Sequence, residues 1–512
     1  MTHASLLMKR RLIPIFAALL WNSIGAAAEL GSDIRRSVST SGLGELVSYS
    51  VVDVGTGQTI ASGGDFTLRK PASNMKLLTT GAALESLGPE FKFRTQLKVD
   101  SNLGLARMVV AGGGDPGFAD PELLARMSFI DDAGKARPGL GTQDLLQWWI
   151  DAAVKAGITR VAELVVDDRV FDRVCYNPAW PTDQRTRPYC AEIWGFNFHA
   201  NMMFVRARTS DTKVVIDGLE PSFDWTIARN GATVGPAKSK SSFVVTRNAE
   251  SHDLVVSGRL PAGARVELDL SIHNPPALFG ELLSRGLRAR GITVDSVRLA
   301  TGADPAATGT VLGVIETPLA VVLARANTDS NNLHAEALLK RLGAAHANAP
   351  TAIPGPGYIG GSWENGASAL RESLERRVGA DSAAFVLSDG CGLSHANRVT
   401  AAGMTAWLRS FAADDRLGSA FLASLAIAGE NGTVQKRFAE LAGSPVSVRC
   451  KTGYINGVSC LSGVVIAPSG RKIAFSVLTN NIEKIGTDRP KKLQEALVMD
   501  IVRALSIPNG RP

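Results

Sequence analysis

Three short stretches hold the residue types of an acyl-transfer site: Ser73-Asn-Met-Lys76, then Ser330-Asn-Asn332, then Lys451-Thr-Gly453. A serine hydroxyl is a poor nucleophile until a base lies within reach, and an amine three residues on along a helix shares its face. The second stretch adds a hydroxyl and an amide. The third adds a cation and a glycine on what reads as a strand. A lone Ser-x-x-Lys is weak, since composition alone supplies more of them. Ser210-Asp-Thr-Lys213 and Ser469-Gly-Arg-Lys472 are two such copies. Only the first copy sits where a loop containing Pro71 meets a helical apolar pattern, Met75, Leu78 and Ala82. There the helix N-terminus favours developing negative charge. Ser210 and Lys213 are expected on one strand, pointing to opposite faces, and Gly470 sets Ser469 in a turn.

Taken singly, each piece has a plainer use. Ser330-Asn-Asn332 could cap the helix that runs through Leu333, Ala337 and Leu338. Lys451-Thr-Gly453 could be an ordinary strand end, and Asp167 a turn or cap residue. Their order along one chain, each in a suitable local pattern, favours the chemical reading for the three motifs.

The elements that must position them are legible in outline. Val47 to Ile60 alternates and breaks at Gly55-Thr-Gly57, which predicts a hairpin before the Ser73 helix. Val446–Ile455, Leu461–Ala467 and Lys472–Leu478 predict three strands, and Leu493, Leu497, Ile501 and Leu505 a closing helix. Early and late strands are expected in one sheet. Between them lie Gly112-Gly-Gly-Asp115-Pro, a helix near Thr142–Ala156, and strand-like Val214–Ile216, Phe243–Thr246 and Val266–Leu270. Ser73 and Ser330 are 257 residues apart, against 121 between Ser330 and Lys451. The site-bearing domain is therefore expected to be opened by an insertion. The expected division is a signal peptide over 1–28, a catalytic domain over 29–96 plus 305–512, and an insertion over 97–304.

The leading 28 residues carry Lys9-Arg10-Arg11, an apolar run from Leu12, and Ala26-Ala27-Ala28, the three regions of a secretory signal. Export to the periplasm is the expectation. The net charge of +7 falls to +4 without those three basic residues. That suits work beside an anionic polymer and does not imply nucleic acid. Peripheral membrane association stays open. Five cysteines in an oxidising compartment permit two disulfides. Cys175–Cys190 is the preferred bridge, and Cys450 and Cys460 could face each other across a hairpin or stay reduced. No metal-ligand spacing occurs, so no metal or other cofactor is expected.

With these residues in place, the chain resembles the class C low-molecular-mass penicillin-binding proteins, the D-alanyl-D-alanine carboxypeptidase/endopeptidases. The resemblance extends to Pro71-Ala-Ser-Asn-Met-Lys76-Leu-Leu-Thr, Gly114-Asp-Pro116, Val166-Asp167 with Phe171, and Asp329-Ser-Asn-Asn332-Leu with Ala335-Glu336. It also takes in Asp389-Gly-Cys-Gly-Leu-Ser394 and Gly432-Thr433 with Arg437-Phe438. It implies an α/β (α+β) fold: a penicillin-binding transpeptidase-like domain, related to β-lactamases, with an antiparallel sheet flanked by helices and two smaller domains nested in the insertion. Implied partners are peptidoglycan stem peptides, with β-lactam antibiotics as inhibitors.

The resemblance also implies roles. Ser73 would be the nucleophile, Lys76 its base, Ser330 a proton relay and Asn332 an orienting amide. Lys451 and Thr452 would attract the substrate carboxylate, Gly453 would let the substrate strand lie close, and the N–H groups of Ser73 and Tyr454 would form the oxyanion hole. Asp167 and Phe171 would lie near the pocket for the diaminopimelate side chain. His395 stands where arginine is usual, Cys391 where serine is usual, and Tyr454 where a small hydroxyl residue is common. These departures bear on specificity and spare the nucleophile. Two other readings compete with this one, a β-lactamase-like hydrolase and a non-catalytic cell-wall binding protein. The large insertion speaks against the first, and the intact Ser73, Lys76 and Lys451 against the second.

Overall fold

The computed structural model describes residues 27–100, 106–130, 136–225, 227–346, 360–379 and 384–506. All but the last two residues of the expected signal peptide lie outside these. No helix of the described residues is long and apolar enough to cross a membrane.

A six-stranded sheet organises the molecule. Across it the strands run Thr59–Gly63, Val47–Asp53, Lys472–Asn480, Val458–Ile466, Ser447–Ile455 and Ala426–Ile427, each antiparallel to its neighbours. The early hairpin and the late strands thus share one sheet, Val47 pairing with Thr479. Both faces of the sheet are covered, which is why Val458–Ile466 is buried along almost its whole length. On one face lie the helices Met75–Leu87, Leu319–Asn327, Asn332–His346, Trp363–Val378 and Ala401–Ala412. On the other, helix 27–40 and Asp488–Ser506 close the sheet, the second burying the stripe Leu493, Leu497, Ile501 and Leu505. Each such fully buried leucine or isoleucine stabilises the fold by roughly 1.5–3 kcal/mol relative to exposure.

The segment between the first and second motifs builds separate sheets. One has five strands, in the order Thr293–Leu299, Arg160–Asp167, Ala106–Ala111, Lys92–Asp100 and Thr310–Pro318. The helices Thr142–Lys155 and Pro275–Ala289 contribute to its core. Lys92–Asp100 and Thr310–Pro318 pair with each other, so this sheet reaches past the boundaries drawn at 97 and 304. The rest is β-rich: Met202–Ser210 lies between Lys213–Glu220 and Arg265–Ser271. Two smaller sheets are formed within residues 227–261. One apolar cluster draws on each of these sheets, while Val109 and Val165 of the five-stranded sheet pack separately with Ala300.

Two local expectations are corrected, and the alternative left open for Cys450 and Cys460 is decided for two buried thiols. Ser210 and Lys213 are not on one strand: they are partners across the tight turn at Asp211-Thr212, and so share a face. All five cysteines are free thiols. In the loop that holds Cys175 and Cys190, the Cys175 carbonyl accepts from Ile193 N at 2.9 Å and its thiol turns to the Arg173 carbonyl, while Cys190 enters the helical core. Cys460 pairs with Gly453 rather than Cys450, and the two thiols enter the cores on opposite faces of the sheet. Neighbouring strands cannot bring them together.

Candidate active site

The Ser73 turn is a short 3-10 segment, Ala72–Asn74, that runs into the helix starting at Met75. Two glycines make room for it. A Cβ on Gly392, whose φ is +87°, would lie 1.8 Å from the Ala72 carbonyl oxygen, and one on Gly453 would lie 2.6 Å from that of Pro71. The missing side chain of Gly453 therefore serves the nucleophile turn, packed inside the protein, rather than an incoming substrate. Asn74 fastens the turn to the sheet by donating to Ser462 Oγ at 2.6 Å, and Thr79 donates to the Gly390 carbonyl at 2.8 Å.

Lys76 is fully buried, and its Nζ lies 3.0 Å from Ser73 Oγ, 2.7 Å from Asn332 Oδ1 and 3.0 Å from the Cys391 carbonyl oxygen. A neutral amine has two N–H groups and one lone pair. The two acceptor-only oxygens take the N–H groups, which leaves the lone pair facing the Ser73 hydroxyl. Burial holds the amine below the ordinary lysine range. Lys451, equally buried, donates to Ser330 Oγ at 2.8 Å and to the Thr452 carbonyl at 3.0 Å. Burial first, and the Lys76 charge second, hold it well below that range too.

Ser330 and Asn332 reach the site because the turn before the helix Asn332–His346 is bent, with Ser330 at φ +60°. The capping function falls on Asn331, whose Oδ1 accepts from His334 N at 3.2 Å. Four residues beyond Asn332, on the same helix face, Glu336 accepts N–H groups from Gly390 at 2.9 Å, Cys391 at 2.6 Å and Trp363 Nε1 at 2.7 Å. It thereby holds the loop that offers its carbonyl to Lys76. Burial, then repulsion from Asp389, push the Glu336 carboxyl up to about 7. Glu336, Asp389 and Cys391 also bring three metal-ligand types within 4.8 Å. Their oxygens are already occupied, Asp389 accepting from Gly392, Ser394, Asn397 and Trp180. The trio reads as a hydrogen-bonded support. Cys391 is buried in it and does not reach the cleft.

Above these residues lies a cleft of about 470 Å³, lined by Ser73, Ser330, Asn332, His395 and Tyr454 among others. Ala426–Ile427 covers the Lys451 strand only at Arg449 and Cys450. From Lys451 to Ile455 the strand's outer edge has no strand partner among the described residues, so an extended peptide could be added there. Thr452 Oγ1 meets Thr433 Oγ1 at 2.8 Å beside it.

The structure thus brings together Ser73, Lys76, Ser330, Asn332, Lys451, Thr452, Tyr454 and His395. Asp167 and Phe171 are not among the residues that line this cleft. Asp167 ends a strand in an ion pair with Arg169 at 2.7 Å, and Phe171 is buried against Gly114 and Gly361. Missed from sequence was the opposite wall of the cleft, Pro181, Gln184 and Tyr189. The Tyr189 carbonyl accepts from Asn332 Nδ2 at 2.7 Å. No local pattern marks a loop residue 143 positions away. Glu336 had a usable signal, its helical spacing from Asn332.

A family model described as the D-Ala-D-Ala carboxypeptidase 3 (S13) family matches residues 32–502. The chain is 30% identical over 483 residues to a D-alanyl-D-alanine carboxypeptidase of Actinomadura sp. (strain R39), covering 88% of this chain and 81% of that one. It is 23% identical over 448 residues to the D-alanyl-D-alanine carboxypeptidase DacB of Haemophilus influenzae, covering 85% and 86%. The fold is similar to the crystal structure of penicillin binding protein 4 (dacB) from Haemophilus influenzae, with a TM-score of 0.71 at 21% identity over 92% of this chain and 98% of that one. With the match running through all three motifs and the insertion between them, this chain belongs to the D-Ala-D-Ala carboxypeptidase 3 (S13) family.

Proposed function

We propose that the cleft is the site of a serine D-alanyl-D-alanine carboxypeptidase/endopeptidase, which trims or cleaves peptidoglycan stem peptides through an acyl-enzyme on Ser73 and is acylated there by β-lactams. The observation that carries this is the Lys76 amine, held by two carbonyl oxygens with its third position 3.0 Å from Ser73 Oγ. Family membership and the carboxypeptidase relatives support the same activity. A Haemophilus influenzae relative of the same fold was crystallised with a β-lactam, at a TM-score of 0.65.

In this reading Lys76 takes the proton as Ser73 Oγ attacks the carbonyl between two D-alanines, and the N–H groups of Ser73 and Tyr454 receive the oxyanion. The proton passes through Lys76 and Ser330 to the departing amine, the C–N bond breaks, and the acyl group stays on Ser73 as an ester. Water hydrolyses that ester. Lys451, with the hydroxyls of Thr452 and Thr433, attracts the terminal carboxylate. Gly453 allows the turn to sit where it does. His395 and Tyr454 border the space beside the scissile bond.

The leading segment 1–28 fits export to the periplasm, where stem peptides are found. The two-part catalytic domain and its insertion are retained in this reading. The border strands Lys92–Asp100 and Thr310–Pro318 are drawn into the insertion, whose five-stranded sheet and β-rich remainder form its two smaller units.

Intact mass of the mature protein after benzylpenicillin, compared with Ser73→Ala, tests the reading. A long-lived adduct that needs Ser73 is expected. Rapid loss of the adduct with drug turnover would indicate a β-lactamase, and no adduct would leave a binding protein.

A further inference from the structure

Ser330 holds a left-handed backbone conformation that costs a non-glycine residue on the order of 1 kcal/mol or more. Something must hold the turn. Arg325, on the last turn of the preceding helix and 3% exposed, accounts for it. Its backbone carbonyl accepts from Asn331 N at 3.0 Å, and its Nη1 donates to Asp329 Oδ2 at 2.8 Å. One residue therefore grips the turn immediately before and immediately after Ser330. The rest of its guanidinium is committed to the insertion. Nε and Nη2 donate to Asp120 Oδ2 at 3.1 and 3.0 Å, and Nη1 also reaches the more exposed Glu122 at 2.6 Å.

Asp120 is fully buried and fixed from its other side. Its Oδ1 accepts from Glu122 N at 2.9 Å at the start of the helix Pro121–Arg126. His334, on the helix that begins at Asn332, lies with Nε2 3.6 Å from the same Asp120 oxygen. A second grip comes from the other side, where the Tyr189 carbonyl holds the Asn332 amide at 2.7 Å. Both Asp120 and Tyr189 belong to the inserted segment, which carries none of the three motifs.

We propose that Arg325 is a positioning residue for Ser330 and Asn332, clamping their turn to the inserted residue Asp120, so that the insertion sets the geometry of the second motif. A guanidinium suits this because its planar fork can hold Asp120 and Asp329 together, which an ammonium on the same backbone does poorly. The inference rests on the reading of Ser73 as the acylated nucleophile. The insertion is then an integral part of the active centre, and a strain placed on it is felt at Ser330.

The test uses the full mature protein. Arg325→Gln combined with Asp120→Asn removes both buried charges together, so that no unpaired ion is left inside. Asp329→Asn, at a partly exposed position, loosens only the grip before Ser330. Each is compared with wild type for thermal midpoint, for the rate of acylation by a fluorescent penicillin, and for kcat and KM on a peptide ending in D-Ala-D-Ala.

The expected result for the double variant is at least a tenfold loss of acylation and of kcat, larger than any change in KM. For Asp329→Asn a several-fold loss with an unchanged midpoint is expected, and Arg325→Lys should recover part of the rate lost in the double variant. Acylation within twofold of wild type in a folded double variant overturns the proposal. If the double variant fails to fold, acylation by Asp329→Asn at the wild-type rate overturns it. Absence of any adduct on wild type would instead overturn the reading of Ser73.

Discussion

Lys76 at the floor of the cleft and His395 at its mouth are both nitrogen bases serving the same site, yet they are held very differently. Lys76 is fully buried with three oxygen partners fixed by separate elements of the fold. His395 is exposed and meets the Lys70 amine at 3.5 Å. Burial, then the charges of Lys70 and Arg398, hold its imidazole below the ordinary histidine range. The floor is over-determined, so a change there alters chemistry. The mouth has few constraints, so a change there can alter which peptides are accepted while the reacting groups stay in place. Of the departures from the family's usual residues, His395 and Tyr454 lie at the mouth, while Cys391 lies under the floor and offers Lys76 only its backbone carbonyl.

Replacing Lys76 is the hardest test of this contrast. Lys76→Met keeps the volume, removes the base and should lower acylation by about 10²- to 10⁴-fold. The thermal midpoint should move by only a few degrees, because relief from burying an amine offsets the loss of the donor to the Asn332 and Cys391 oxygens. In the wild type, acylation should increase with pH as Lys76 loses its proton, with an inflection below the ordinary lysine range. A flat pH profile, or Lys76→Met acylating normally, would break the assignment of the floor to chemistry.

A smaller effect is expected from Glu336, the support under that floor. Its folded pKa of about 7 lies above the ordinary 4.5, so the folded state binds the proton more tightly. Its contribution is therefore fully present below pH 4.5 and is lost as pH rises towards 7, at most about 3 kcal/mol. Urea midpoints measured at pH 5 and pH 8 should show the fall in wild type and a shallower one in Glu336→Gln. Equal slopes would remove Glu336 from this account.

The smallest effect should come from the mouth. His395→Arg should change relative rates across stem-peptide analogues by a few-fold and leave acylation by benzylpenicillin unchanged. Unaltered ratios across those peptides would detach His395 from specificity.

The sequence was most informative where function depends on local spacing. Ser73 and Lys76 stand three apart at a helix start, and Leu493, Leu497, Ile501 and Leu505 recur at helical intervals. The strands around Lys451 were legible from their alternation and turns. Such patterns survive in one dimension because neighbours along the chain are neighbours in space. Asp167 and Phe171 carried no such pattern, since a position between two local patterns says nothing about which cavity it faces. The preferred Cys175–Cys190 bridge failed, and spacing could not choose between the two alternatives for Cys450 and Cys460. Cys450 and Cys460 are close in sequence, but the register of their strands sends the thiols through opposite faces of the sheet.

By itself, then, the sequence determined the candidate reacting groups, their order and the sheet that carries them. Only the tertiary structure decided that the far wall is Gln184 and Tyr189, that Gly453 makes room for Pro71, and that Arg325 ties Ser330 to Asp120. These are contacts between segments as much as 382 residues apart, between Pro71 and Gly453. Such contacts are fixed by packing and register rather than periodicity, and no local signal encodes them.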